Sequence, residues 1–179
     1  MTMPPPLRKF ALTVHLTCSV GWIGAVIVYL VMVLAAMTTQ DAETLRVAWM
    51  MMELAGTYAI VPLALASLLT GLLMALGTKW GLFRYYWVLI SFVLTVIAAG
   101  VLIQHMQTVN FYAALASEQS STDLTALRAG LSGELLHAGV GLVVLLVVQV
   151  LNVYKPQGLT PYGWKRLMRR AASDVTNTT

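Results

Sequence analysis

Four long apolar runs, roughly Phe10–Met37, Leu54–Gly77, Tyr85–Met106 and Leu135–Val153, fill most of this 179-residue chain. Each can form a helix across a hydrocarbon core of ~30 Å, which takes about 20 residues. Backbone in lipid must satisfy its own hydrogen bonds, so only helices or a closed barrel can cross. The runs lack the strict alternation of barrel strands and are too long for them, so helices are expected. Hydrophobic residues make up 59% of the chain and charged residues 10%, a balance that needs lipid as solvent. The intervening segments are short and no internal repeat is visible, which leaves one integral membrane domain over residues 1–179. The expected fold is all-α: a polytopic, antiparallel bundle of four transmembrane helices, with short interfacial helices in the two outer loops. Lipid is therefore the first partner. A second copy or another membrane protein is a further one.

The net charge of +4 is not a nucleic-acid signal, because its distribution follows the spans. Arg8 and Lys9 precede the first run, Lys79 and Arg84 lie between the second and third, and Lys155, Lys165, Arg166, Arg169 and Arg170 follow the fourth. Only Arg46 and Arg128 occupy the other two loops, where Asp41, Glu43, Glu53, Glu118, Asp123 and Glu134 gather. Nine basic residues against two place both termini in the cytoplasm. The first run follows Leu7-Arg8-Lys9 like a signal peptide, but it exceeds the usual 7–15 apolar residues and reads as a retained helix. Cys18 is the single cysteine, which excludes an internal disulfide, and in apolar surroundings it reads as packing.

Local signals refine this outline. Pro4, Pro5 and Pro6 predict an extended lead-in. Thr38-Thr39-Gln40-Asp41 offers capping oxygens for a helical segment, Ala42–Glu53, that leads into the second span. Pro62 should kink that span near Tyr58. The pairs Gly21/Ala25 and Ser67/Gly71 allow close helix approach. Trp80, Tyr85, Tyr86, Trp87 and Tyr154 form an aromatic belt at the inner interface. The third helix should continue to about residue 116, and Ser120–Asp123 should cap a short outer helix ending near Gly130. The basic tail, residues 154–179, fits either plain cytoplasmic charge or contact with the anionic leaflet.

Ionisable groups inside spans are costly and mark functional candidates. His15 lies six residues beyond Lys9, roughly 9 Å into the inner half at ~1.5 Å per residue. Counting inward on the other helices reaches Thr70, Ser91 and Gln149 at that depth. Interhelical hydrogen bonding and a ligand- or proton-handling role both fit this level. In the outer half, His105 and His137 should share a depth, although they come from helices running in opposite directions. Glu134 and His137, three apart, share one helix face, and Glu53 enters nearby from the second helix. Glu-x-x-His is part of the ligand pattern of carboxylate-bridged metal bundles, but it occurs here once. His105, His137, Glu134 and Glu53 thus fit a divalent metal, a haem between two histidines, a proton path, or an ordinary interfacial polar cluster. Met50-Met51-Met52 makes a poor chelator, because consecutive helical side chains diverge. There is no phosphate loop, cysteine pair or serine elbow.

The string His15-Leu16-Thr17-Cys18-Ser19-Val20-Gly21-Trp22-Ile23-Gly24 resembles the first helix of the bacterial copper-resistance D-type membrane superfamily. Leu69-Thr70-Gly71-Leu72 and the stretch from Trp80 to Val88 look like an uncharacterised four-helix branch of it. The resemblance runs from about Leu12 to His105. It implies a four-helix bundle in the bacterial cytoplasmic membrane, with relatives linked to copper handling or to haem-dependent oxidation of a porphyrin precursor. It also implies that His15 is a candidate ligand for haem b. The lysine that the porphyrin-oxidising relatives carry after the tryptophan corresponds to Ser91, and the Met- and His-rich motifs of copper import are absent. The leading expectation is therefore a non-enzymatic or accessory bundle holding haem or a metal through His15, His105 or His137. A haem-dependent membrane oxidoreductase and a cofactor-free small transporter or structural partner are the alternatives.

Overall fold

The structure, a computed structural model, describes residues 3–78, 80–118 and 124–176. Among the described residues six α-helices follow in order: α1 (Pro5–Thr38), α2 (Ala42–Ala55), α3 (Val61–Gly77), α4 (Tyr86–Ser117), α5 (Leu124–Tyr154) and α6 (Pro161–Thr176). A π-helical turn, Gly56–Ile60, joins α2 to α3, so Ala42–Gly77 is one 36-residue rod. This rod, α1, α4 and α5 are long and apolar enough to cross a membrane. Within the most apolar windows of α1, the rod, α4 and α5 only 28%, 22%, 22% and 11% of residues, respectively, are buried, which leaves most side chains facing outward, as lipid contact requires.

Several boundaries differ from the sequence expectation. The prolines do not form an extended lead-in: Pro5 opens α1, because a first-turn proline lacks only a donor that the turn leaves unpaired anyway. Pro62 is accommodated by the π turn. It cannot donate to the carbonyl four residues back, and its ring would crowd that carbonyl. The extra residue in the turn relieves this, with the Val61 amide reaching back to Gly56. The segment before residue 54 is therefore continuous with the second span. Leu124–Gly130 likewise belongs to α5 and not to a separate short helix. Its proposed cap, Ser120–Asp123, lies outside the described residues. The third span reaches Ser117, as its sequence implied.

The buried core sits towards the acidic end of the helices. Val33, Ala36, Leu45, Trp49, Met52 and Leu127 are fully enclosed there. Asp41 caps α2 through the Thr44 amide and hydroxyl, at 2.8 and 2.6 Å. Trp49 stacks on Tyr112 at 4.6 Å and donates to the Leu127 carbonyl at 3.3 Å. A Cβ at Gly130 would lie 2.7 Å from Tyr112 Cζ, so glycine lets α5 approach this stack. At the basic end, Thr160 donates to the Phe83 carbonyl and accepts from the Gly163 amide, which fastens the start of α6 to the α3–α4 connection. Trp80 packs edge-on to Tyr85 and Trp87, both at 5.3 Å, within the aromatic belt.

Candidate functional sites at two levels

Two polar levels stand out along the helices, each beside a cavity. The one nearer the basic end centres on His15. Its Nδ1 lies 3.1 Å from the Thr70 hydroxyl. That hydroxyl donates its one proton to the Ala66 carbonyl, at 2.6 Å, with the Ser67 carbonyl 3.2 Å away. Thr70 can then only accept from His15, which places the proton on Nδ1 and leaves Nε2 its lone pair. One turn further along, the Ser19 and Ser67 hydroxyls pair at 2.8 Å. Gly71 makes room for the imidazole, since a Cβ there would sit 3.1 Å from His15 Cε1.

His15, Ser19, Ser67 and Gly71 line a cavity of about 720 Å³. Of the three residues expected at the depth of His15, Ser91 and Gln149 line the cavity too, while Thr70 lies behind the ring and is the one hydrogen-bonded to it. Trp22, seven residues along from His15, also faces inward and is 4% exposed. Arg8, Lys9 and Lys155 bring positive charge to the rim. Two donors in the wall, Trp87 Nε1 and Ser91 Oγ, are buried without a hydrogen-bond partner. Such groups ordinarily cost about 1–3 kcal/mol unless something completes them.

At the second level, the carboxylate of Glu134 is 1% exposed. Its Oε2 accepts from the Tyr29 hydroxyl at 2.7 Å and meets His105 Nε2 at 3.0 Å. The His105 and His137 rings stack, with centroids 3.6 Å apart and planes 11° from parallel. His105, His137 and Glu134 thus come together as their common depth implied. Tyr29 completes the group, and nothing in the sequence singled it out beyond its being a tyrosine within a span. Glu53 is not a partner of Glu134 or of either ring.

This geometry speaks to the metal and haem readings of the outer cluster. An imidazole binds a metal in its own ring plane, and two parallel planes 3.6 Å apart do not converge on one ion. Nor does that gap admit a macrocycle between the rings. Among the described residues, no three His, Cys, Asp or Glu side chains form a group that could hold a metal ion. What the cluster can do is hold and pass protons, through a hydroxyl, a buried carboxylate and an imidazole in hydrogen-bond contact.

A cavity of about 540 Å³ adjoins it, lined mostly by apolar side chains of α4 and α5 together with Trp22, Val26 and Tyr29 of α1 and Ile60 of the π turn, and by His105 and His137. Trp22 and Leu145 line both cavities and form the partition between them. Compared with known proteins, the chain matches no family model, no curated protein and no solved structure.

Proposed function

We propose that this chain is an integral protein of the bacterial cytoplasmic membrane, an antiparallel bundle of four spans with both termini cytoplasmic, that holds haem on His15. The observation that carries the reading is the state of that imidazole. Its Nδ1 proton is engaged by Thr70, and its other nitrogen keeps a lone pair beside a cavity of about 720 Å³. The wall fits an amphiphilic, anionic macrocycle in three further ways. Trp22, Trp80 and Trp87 supply flat apolar surface. The rim carries Arg8, Lys9 and Lys155, suited to carboxylates. Trp87 Nε1 and Ser91 Oγ are donors awaiting acceptors. Haem held in this way supplies a one-electron redox centre. The protein's part is to bind, orient and desolvate it. With Ser91 standing where the porphyrin-oxidising proteins that the sequence resembles carry a lysine, His15 is the protein ligand, and the role is accessory more than catalytic.

The orientation rests on the positive-inside asymmetry, because Arg8, Arg84 and Lys155 lie at one end and Asp41, Glu43 and Glu118 at the other. The absorbance spectrum of protein purified after expression with adequate haem supply tests the binding. A Soret band is expected, lost in His15→Ala and kept in His105→Ala and His137→Ala. A colourless wild-type protein that also fails to take up added hemin would overturn the reading.

A further inference from the structure

The cavity beside the stacked histidines asks for a different ligand. Its outer walls are α4 and α5, with Trp22, Val26 and Tyr29 of α1 and Gly56 and Ile60 of the π turn closing the inner side, and much of its rim faces the lipid: Ile97 is 56% exposed, Leu136 69% and Val140 55%. A molecule entering there comes from the bilayer and needs an apolar body. Two glycines of α5, Gly133 and Gly141, line the space, and a Cβ on either would meet nothing within 4 Å. Glycine in a helix interior costs roughly 1 kcal/mol against alanine and usually earns its place by letting another helix approach. No helix approaches these two. They keep volume open.

The polar groups are confined to one end and make a restricted demand. His105 and His137 line the cavity, and His105 rests on Glu134, whose second oxygen, Oε1, is buried with no hydrogen-bond partner. An imidazole held against a carboxylate gives the site no net positive charge, so it does not call for an anionic head such as a phosphate or fatty carboxylate. It offers ring nitrogens to a carbonyl or hydroxyl. Behind them stands a chain, His105–Glu134–Tyr29, that can store a proton. A sterol or a long-chain alcohol has no proton to exchange at neutral pH. A lipid-soluble quinone does: its carbonyls accept from ring N–H groups, and when a separate membrane electron donor supplies two electrons the two carbonyls take up two protons and become hydroxyls. We infer that the α4–α5 cavity is a binding site for a membrane quinone, with the head at His105 and His137 and the tail leaving between the helices into lipid. This inference is independent of haem on His15.

The test uses the full chain in nanodiscs of quinone-free lipid and reads the rise in unfolding temperature with added ligand. Decylubiquinone is the probe, and decylbenzene, with ring and tail but no oxygens, is the control. Decylubiquinone should stabilise the protein at concentrations at least about tenfold below those decylbenzene needs, since each lost hydrogen bond of this kind is worth near that factor. His137→Phe, which keeps a ring in the stack but removes its nitrogens, should weaken decylubiquinone by a similar factor. Gly141→Leu should abolish binding by filling the cavity; if it does not fold, Gly133→Leu fills the same cavity about two turns away, on the other side of His137. His15→Ala should leave the affinity unchanged, which separates this site from the haem cavity. Equal effects of the two probes would reduce the cavity to a groove for acyl chains and overturn the inference. So would undiminished binding in the glycine variants, or no binding of decylubiquinone at all.

Discussion

The hydroxyl of Tyr29 donates to Glu134 Oε2 at 2.7 Å, joining α1 to α5 across 105 positions of sequence. The same oxygen meets His105 of α4, so one carboxylate atom ties three membrane helices together. The other oxygen is buried and unpartnered. Such a junction is sensitive to loss of either donor, because the carboxylate has no water to fall back on.

Tyr29→Phe should therefore destabilise the bundle by about 1–2 kcal/mol, between the usual value for intramembrane hydrogen bonds and that for charge-assisted ones. Reversible unfolding in mixed detergent micelles measures it. In a double-mutant cycle with Glu134→Gln the two losses should fall short of additive, with a coupling of at least ~0.5 kcal/mol. Simple additivity would mean the contact carries no energy.

Two glycines of one helix give opposite expectations. Gly130→Ala would place a Cβ 2.7 Å from Tyr112 Cζ and 3.0 Å from Trp49 Cζ2, inside a stacked aromatic pair. The ring positions are held by a buried core, so a loss of about 1–3 kcal/mol is expected. Gly133→Ala meets open space and should be neutral or stabilising by up to ~1 kcal/mol through helix propensity. Thermal unfolding of the two variants side by side checks the contrast, and a destabilised Gly133→Ala would contradict the open cavity wall.

Orientation is open to chemical labelling. In a Cys18→Ala background, Glu118→Cys should react with an impermeant maleimide added to intact spheroplasts, and Trp164→Cys should react only after lysis. Both side chains are exposed, so accessibility within the fold does not confuse the result. The reverse pattern would invert the bundle.

Asp41 gives the molecule one pH-sensitive cap outside the membrane. The Thr44 hydroxyl and amide both donate to its carboxylate and hold it below the ordinary carboxylate range. The ionised form is thus the one bound in the folded state. Its contribution is complete above the unfolded value and is lost as the pH falls through the depressed folded value. Hydrogen exchange at the Thr44 amide should accelerate in Asp41→Ala at neutral pH. In the wild type, protection relative to the intrinsic rate should fall only once the pH drops below the ordinary aspartate range. Protection that ignores both changes would remove Asp41 from the cap.

The spans themselves were legible because lipid imposes a minimum length and no tolerance for charge, a demand written directly into composition. Their exact ends were less so. Pro5 read as part of an extended lead-in, yet it opens a helix, and the kink expected from Pro62 near Tyr58 takes the form of a π turn over Gly56–Ile60, because proline's missing donor matters only where the fold would have used it. Gly130 and Gly133 did not interrupt α5 either, since the aromatic stack accepts a helix at the first and nothing obstructs it at the second.

Depth along the membrane was decided by sequence alone. A fixed rise of ~1.5 Å per residue carries His15 to the level of Thr70, and His105 to that of His137, whatever the helices pack against. Rotation about each helix axis was not. These spans are apolar all the way round, and lipid is as apolar as a protein interior, so no sequence pattern states which face turns inward. Packing made that choice: it stacked His105 on His137, brought Tyr29 to Glu134, left Glu53 aside and opened two cavities on either side of Trp22 and Leu145.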